Sequence, residues 1–246
     1  YGAILGDIIG SFYEYDEFIS HDIDVEKRRK ILDLNTPLFR SNSTITDDSI
    51  LTIAIADAII NKCDYDTKLK EHANKFMSNK NNDPSYFEEP FSPGFTKWVR
   101  GNFKGTSTGN GAAMRISPIG YYFDTLDEIL EETKKATECS HNSKEAIRGA
   151  QAVSFCIYLL KNGYSKQQLK AFVEEIYKYD LNFDLTSLQE TNNFKMNCDN
   201  TVPQAIYIFL ISHNFEDGIR KAISIGGDTD TIACIVGSIA EAYYDI

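Results

Sequence analysis

Gly226-Gly227-Asp228-Thr229-Asp230-Thr231 places two carboxylates two residues apart, between glycines and threonines, at the mouth of an apolar run. Thr46-Asp47-Asp48-Ser49 opens another apolar run far earlier in the chain. Together the clusters offer four carboxylates and several hydroxyls, all oxygen donors. That donor set suits hard divalent cations such as Mg²⁺ or Mn²⁺ rather than zinc. One Asp before a helix is an ordinary cap with good dipole complementarity. Two Asp behind a Gly-Gly entry exceed what capping needs, because glycine frees the backbone and extended geometry lets residues i and i+2 face the same way. Asp47 and Asp48 are adjacent, so their side chains diverge and suit two cations, or one cation and a water, better than a single ion.

Three other stretches could add chemistry. Glu14 follows a small, apolar segment in which Gly2, Gly6 and Gly10 recur every four residues. Glycines so spaced share one helix face and allow close packing. The run Gly105-Thr106-Ser107-Thr108-Gly109-Asn110-Gly111-Ala112-Ala113-Met114-Arg115 is small and hydroxyl-rich, so its backbone N–H groups could approach an anion. It lacks the ending of a phosphate-binding P-loop, and a plain flexible loop is its other reading. His141 stands before a helix, where a capping role competes with that of a phosphate donor using either ring nitrogen.

The elements that must position these residues read as helices. Apolar periodicity predicts helices over 2–12, 48–60, 143–160, 165–179, 201–211, 215–224 and 230–243. Asn162-Gly163 is expected as a left-handed stop, Ser165 as an N-cap, and Pro203 close to a helix start. Residues 79–118, rich in Gly, Pro, Asn, Ser and aromatics, are expected as one long functional loop. No alternating strand pattern and no internal repeat is present. The expectation is a single all-α domain spanning 1–246.

Composition narrows the function classes. The 246 residues are 42% hydrophobic and 25% charged, ordinary for a globular chain. A net charge of −11 argues against binding nucleic acid or an anionic membrane surface. Five cysteines without a CxxC pair argue against a disulfide framework or zinc knuckle and point to a reducing, cytoplasmic setting, with Cys156 and Cys234 packing as small hydrophobes. No run is long and apolar enough for a transmembrane helix, and no basic-then-apolar leader is visible. The chain opens on Tyr1 rather than methionine, so a few preceding residues are expected.

Five separated stretches resemble the ADP-ribosylglycohydrolase family: 2–14, Thr46 to Ser49, Gly109 to Arg115, Ser140-His141 before a helix, and Gly226 to Thr231. They occur in the family's order across nearly the whole chain. The resemblance implies an all-α fold with a binuclear Mg²⁺ or Mn²⁺ centre in a cleft, held by Thr46, Asp47, Asp48, Asp228, Asp230 and Thr231. It makes Glu14 the acid/base, grouped with Asp47 and Asp230 as the catalytic set. It assigns Ser107, Gly109, Asn110, Gly111, Ala112 and Met114 to a diphosphate cradle, His141 to the phosphate side, and Phe103 to adenine stacking. Ser143 and Thr108 depart from the pattern, standing where a second histidine and an aromatic are common. The implied reaction is hydrolysis of the glycosidic bond between ADP-ribose and an acceptor, a protein or a small molecule, by a monomer that releases ADP-ribose. A non-catalytic ADP-ribose binder and a binuclear nucleotide phosphoesterase are the alternatives. Five carboxylates nearly balance two divalent cations, so the site is tolerable with metal bound.

Overall fold

The structure is a computed structural model that describes residues 1–14, 23–79, 91–101 and 105–244. Its elements are α1 (Gly2–Glu14), α2 (Val25–Lys30), α3 (Asp47–Asn61), α4 (Tyr65–Asn79), α5 (Pro93–Val99), α6 (Gly111–Met114), α7 (Ser117–Tyr122), α8 (Leu126–Glu138), α9 (Lys144–Lys161), α10 (Lys166–Tyr177), α11 (Leu185–Thr191), α12 (Cys198–Ile211), α13 (Phe215–Ser224) and α14 (Thr229–Tyr244). Among the described residues there are no strands, only isolated bridges between Thr106 and His141 and between Gly109 and Asn197. The all-α expectation therefore holds. No helix among them is long and apolar enough to cross a membrane.

Two helices form the centre. α9 packs against α6, α7, α8, α10, α12 and α14. α14 packs against α1, α6, α9, α12 and α13, and is buried from Thr229 to Ala240. A helix with apolar residues all round is one surrounded by partners. Cys156 and Cys234 lie fully inside these two helices and pack as expected.

The glycine spacing of α1 explains how the site is assembled. A Cβ added at Gly2 would lie 2.2 Å from the Gly237 carbonyl oxygen, one at Gly6 2.1 Å from that of Ala233, and one at Gly10 2.5 Å from the Asp230 Cα. The contacts run in opposite directions along the two chains, so α1 and α14 pack antiparallel with their backbones almost touching. Any side chain at these three positions would force them apart. This seam carries the C-terminal end of α1, with Glu14, beside the N-terminal end of α14, with Asp230.

Several boundaries differ from expectation. The segment 79–118 is not one loop: its described part holds α5, α6 and α7, each too short to show periodicity. α2, α4, α8 and α11 also form; α2 and α11 are too short to show a period, while in α8 the spacing of Ile129, Thr133 and Ala136 on one buried face was a signal available to sequence reasoning. α12 starts at Cys198 behind an Asn197 cap, which places Pro203 inside the helix, where it removes one i→i−4 bond. α10 stops at Tyr177 rather than Tyr179 because Lys178 adopts a left-handed conformation, φ 58°. In the Asn162-Gly163 stop only Gly163 is left-handed, φ 78°. The Ser165 cap forms, completed as a capping box by Gln168.

Candidate metal centre and anion cradle

Thr46 caps α3: its hydroxyl accepts from the Asp48 N–H at 3.2 Å. Asp47 and Asp48 thus occupy the first turn, where the helix dipole favours carboxylates. At the other cluster, Gly226 and Gly227 take φ values of 69° and 78°, which lets the chain turn sharply into α14. The Asn192 side chain holds this turn by donating to the Gly226 carbonyl and accepting from Gln204. Asp228 precedes α14 and Asp230 lies in its first turn, yet both reach the same cavity.

α1 joins the clusters through a residue that sequence reasoning missed. Asp7 is fully buried. Its Oδ1 accepts from the Thr46 hydroxyl at 2.7 Å, and its Oδ2 accepts from the backbone N–H groups of Thr46 and Ser49 and from the Ser49 hydroxyl. On the opposite flank, the Thr229 hydroxyl donates to the Gly10 carbonyl at 3.0 Å. One helix therefore pins the entries of both α3 and α14. The available signal was a lone carboxylate between Gly6 and Ile8 in an otherwise small and apolar helix.

The structure brings Glu14, Thr46, Asp47, Asp48, Asp228, Asp230 and Thr231 to one cavity of about 510 Å³. Two triads offer oxygen atoms within 4.8 Å of one another: Asp7, Asp48 and Asp230, and Glu14, Asp228 and Asp230. Asp230 belongs to both. Asp47 lines the cavity but stands in neither triad. Two features fit this arrangement to a cation. The Asp48 Oδ1 is buried with no hydrogen-bond partner, although a buried charged oxygen normally has one. The Thr46 hydroxyl gives its proton to Asp7 and one lone pair to Asp48 N–H, which leaves one lone pair for an ion. The Thr231 hydroxyl reaches the Asp48 Oδ2 at 3.3 Å.

Without a cation the six carboxylates oppose their own ionisation. Burial, then the neighbouring Asp230 charge, pushes Glu14 up to about 10. Burial, then Asp7, pushes Asp47 up to about 8. Burial, then Glu14, pushes Asp228 up to about 7. Burial holds Asp48 and Asp230 well above the usual carboxylate range, with neighbouring carboxylates adding to it. It also raises Asp7, against the pull of its donors from Ser49 and Thr46. Positive charge placed among these groups would reverse each of those penalties.

The same cavity is lined by Ser107, Thr108, Gly109, Asn110, Gly111, Met114 and His141. The Asn110 amide donates to Asp228 Oδ2 and to the Thr201 hydroxyl, so it ties this loop to the carboxylates. Thr201, expected to mark a helix start, instead lies within α12 as a support for Asn110. Gly109 N–H is engaged by the Ser107 hydroxyl at 3.0 Å. A Cβ on Gly111 would stand 3.1 Å from the His141 Nε2, so the small residues make room for the imidazole over the loop. Ala112 is fully buried behind the cavity rather than in its lining. Phe103, assigned by resemblance to adenine stacking, lies outside the described residues.

A family model described as ADP-ribosylglycohydrolase matches residues 1–246. The chain is 26% identical over 309 aligned positions to the ADP-ribosylhydrolase ARH3 of Mus musculus, covering 99% of this chain and 82% of the mouse protein. It is 23% identical over 267 positions to the ADP-ribosylarginine hydrolase Tri1 of Pseudomonas putida, covering 100% of this chain and 69% of that protein. A solved structure described as an ADP-ribosylglycohydrolase-related protein complex shares the fold, with a TM-score of 0.69 at 18% identity over 99% of this chain and 86% of that one. The chain belongs to the ADP-ribosylglycohydrolase family.

Proposed function

We propose that the protein hydrolyses the glycosidic bond linking ADP-ribose to an acceptor, using two divalent cations, Mg²⁺ or Mn²⁺, in the acidic part of the cavity. The observation that carries this reading is the pair of carboxylate triads sharing Asp230, which face one cavity through Glu14, Asp48, Asp228 and Asp230 and share it with an uncharged, glycine-rich loop. Asp48, Asp228, Asp230, Thr46 and Thr231 would hold the cations, with Asp47 facing the cavity beside them. Bound there, the cations supply Lewis acidity that orients ribose hydroxyls and activates water. Asp7 acts on that centre from behind, by fixing the Thr46 hydroxyl and the start of α3.

The chain's own groups account for the rest. Glycosidic cleavage develops positive charge on the ribose ring, which neighbouring carboxylates stabilise. Glu14, at the end of α1 and partly exposed to the cavity, handles the proton at its carboxyl oxygen, between the attacking water and the leaving atom. Ser107, Gly109, Asn110, Gly111, Met114 and His141 receive the diphosphate, through the uncharged donors suited to an anion held close to carboxylates. The products are ADP-ribose and the unmodified acceptor.

The test is a panel of arginine-linked, serine-linked and O-acetyl ADP-ribose substrates, assayed for release of intact ADP-ribose. Release from at least one member, slowed by about 10²–10⁴-fold in Glu14→Gln, is the expected result. Binding of ADP-ribose without any release, or phosphate liberated in place of ADP-ribose, would overturn the reading.

A further inference from the structure

His141 approaches the glycine loop with one particular nitrogen, and the reason lies beneath the cavity. Its Nε2 stands over Gly109 and Gly111, 3.6 and 3.1 Å from where their Cβ atoms would be. Its Nδ1 points the other way, 2.8 Å from the Ser140 hydroxyl. That hydroxyl also lies 2.6 Å from Nη2 of Arg115. Arg115 is fully buried at the end of α6, donates to the Ala136 carbonyl as well, and sits 5.9 Å from the Phe95 ring centre.

The donor inventory decides the protonation pattern. A guanidinium only donates, so the Ser140 oxygen accepts from Arg115. The single Ser140 hydrogen then needs an acceptor; the Cys139 sulfur beside it is a weak one, and His141 Nδ1, at 2.8 Å, is the strong one. An Nδ1 that accepts has no proton of its own, so the neutral imidazole carries its proton on Nε2. The alternative, an imidazolium, would turn Nδ1–H toward a hydroxyl already engaged with a cation. Burial, and then the Arg115 charge, keep His141 well below its usual range.

We propose that Arg115 and Ser140 are positioning residues: they lock His141 as a neutral Nε2–H donor aimed at a phosphate group of the ligand. The lock places a directed hydrogen bond over the cradle without adding a mobile charge beside the carboxylates. The identity of the phosphate as part of ADP-ribose rests on the function proposed above. The tautomer itself belongs to the ligand-free protein and stands independently of that function.

Long-range ¹H–¹⁵N correlation spectra of the ¹⁵N-labelled protein read the tautomer directly. The expected spectrum shows His141 neutral and protonated on Nε2 from pH 5.5 to 8, and the same tautomer in Ser140→Thr. In Ser140→Ala the Nδ1–H form should gain population. KM for an ADP-ribosylated substrate, or Kd for ADP-ribose, should then rise about tenfold, the worth of one hydrogen bond to a charged group, with kcat little changed. A wild-type His141 that carries its proton on Nδ1, or that titrates near 6.5, overturns the lock even if Ser140→Ala fails to fold. So does an Nε2–H tautomer that survives unchanged in Ser140→Ala. Nε2–H locking in a protein that neither binds nor hydrolyses ADP-ribose would leave the lock standing and sink the proposed function instead.

Discussion

One side of the cavity gathers Glu14, Asp47, Asp48, Asp228 and Asp230, with Asp7 directly behind them, while the stretch from Ser107 to Gly111 and His141 on another side carries no charged group. No lysine or arginine belongs to the described lining. The cation of the second side, Arg115, is withdrawn into the interior and reaches the cavity through Ser140 and His141. On the proposed function, the acidic side takes positive charge from outside the chain, and the neutral side takes the negative charge of a ligand. A lysine in the cradle would pair with the carboxylates and remove the need for the ions. Keeping the cradle neutral preserves both demands, which is what a substrate with a diphosphate and a reacting ribose requires of neighbouring subsites.

The largest effect expected on this contrast comes from Glu14→Gln. It removes the proton-handling group while leaving an oxygen donor in place, so kcat should fall by about 10²–10⁴-fold. Mn²⁺ affinity, followed by calorimetry, should change far less than turnover. A fall in affinity as large as the fall in kcat would recast Glu14 as chiefly a ligand.

Asp7→Asn tests whether the acidic side depends on a carboxylate that does not line the cavity. Both Asp7 oxygens accept, from Thr46 on one side and from Thr46 and Ser49 on the other. An amide turned either way sets an NH₂ against donors. Groups of this kind behind a metal centre are typically worth about 10–100-fold in metal affinity or activity. Unchanged Mn²⁺ affinity in a folded variant would reduce Asp7 to a packing role.

Gly10→Ala tests the seam that sets the end of α1, with Glu14, beside the start of α14, with Asp230. The added methyl would meet the Asp230 Cα at 2.5 Å, so α1 and α14 must separate. Overpacking of this kind costs about 1–3 kcal/mol, read as a lower denaturation midpoint, and activity should fall with it. Full activity at full stability would show that the seam does not set the geometry of Glu14 and Asp230.

The mildest test is pH. In cation-free protein the carboxylates bind protons more tightly folded than unfolded. Their raised values mean that the native state holds more protons between the ordinary carboxylate range and about 7 for Asp228, about 8 for Asp47 and about 10 for Glu14. Stability therefore falls as pH rises through that window. Thermal midpoints of chelated protein should drop from pH 5 to pH 9, and saturating Mg²⁺ should flatten the slope. A slope of the same size with and without Mg²⁺ would detach the carboxylates from cation binding.

Much of this contrast was legible in the sequence, for identifiable reasons. Asp47, Asp48, Asp228 and Asp230 sit at helix starts, where local signals announce both the element and the direction of the side chains. Asp7 was hidden because its partners, Thr46 and Ser49, dock from 39 and 42 residues away, and no local pattern encodes that docking. Arg115 was visible beside an apolar run, but its burial and its link to His141 depend on α6 meeting the end of α8. The short helices between 91 and 122 escaped because four to seven residues cannot display a period of 3.6. Pro203 misled because a proline inside a helix is rarer than one at its start.

The central claim is that the acidic side works through divalent cations, and chelation tests it most directly. ADP-ribose release should be measured on one competent substrate with Mg²⁺, with Mn²⁺, and after exhaustive treatment with a chelator. Activity that disappears on chelation and returns with either ion is the predicted result. Turnover that persists undiminished in the chelated protein would contradict it.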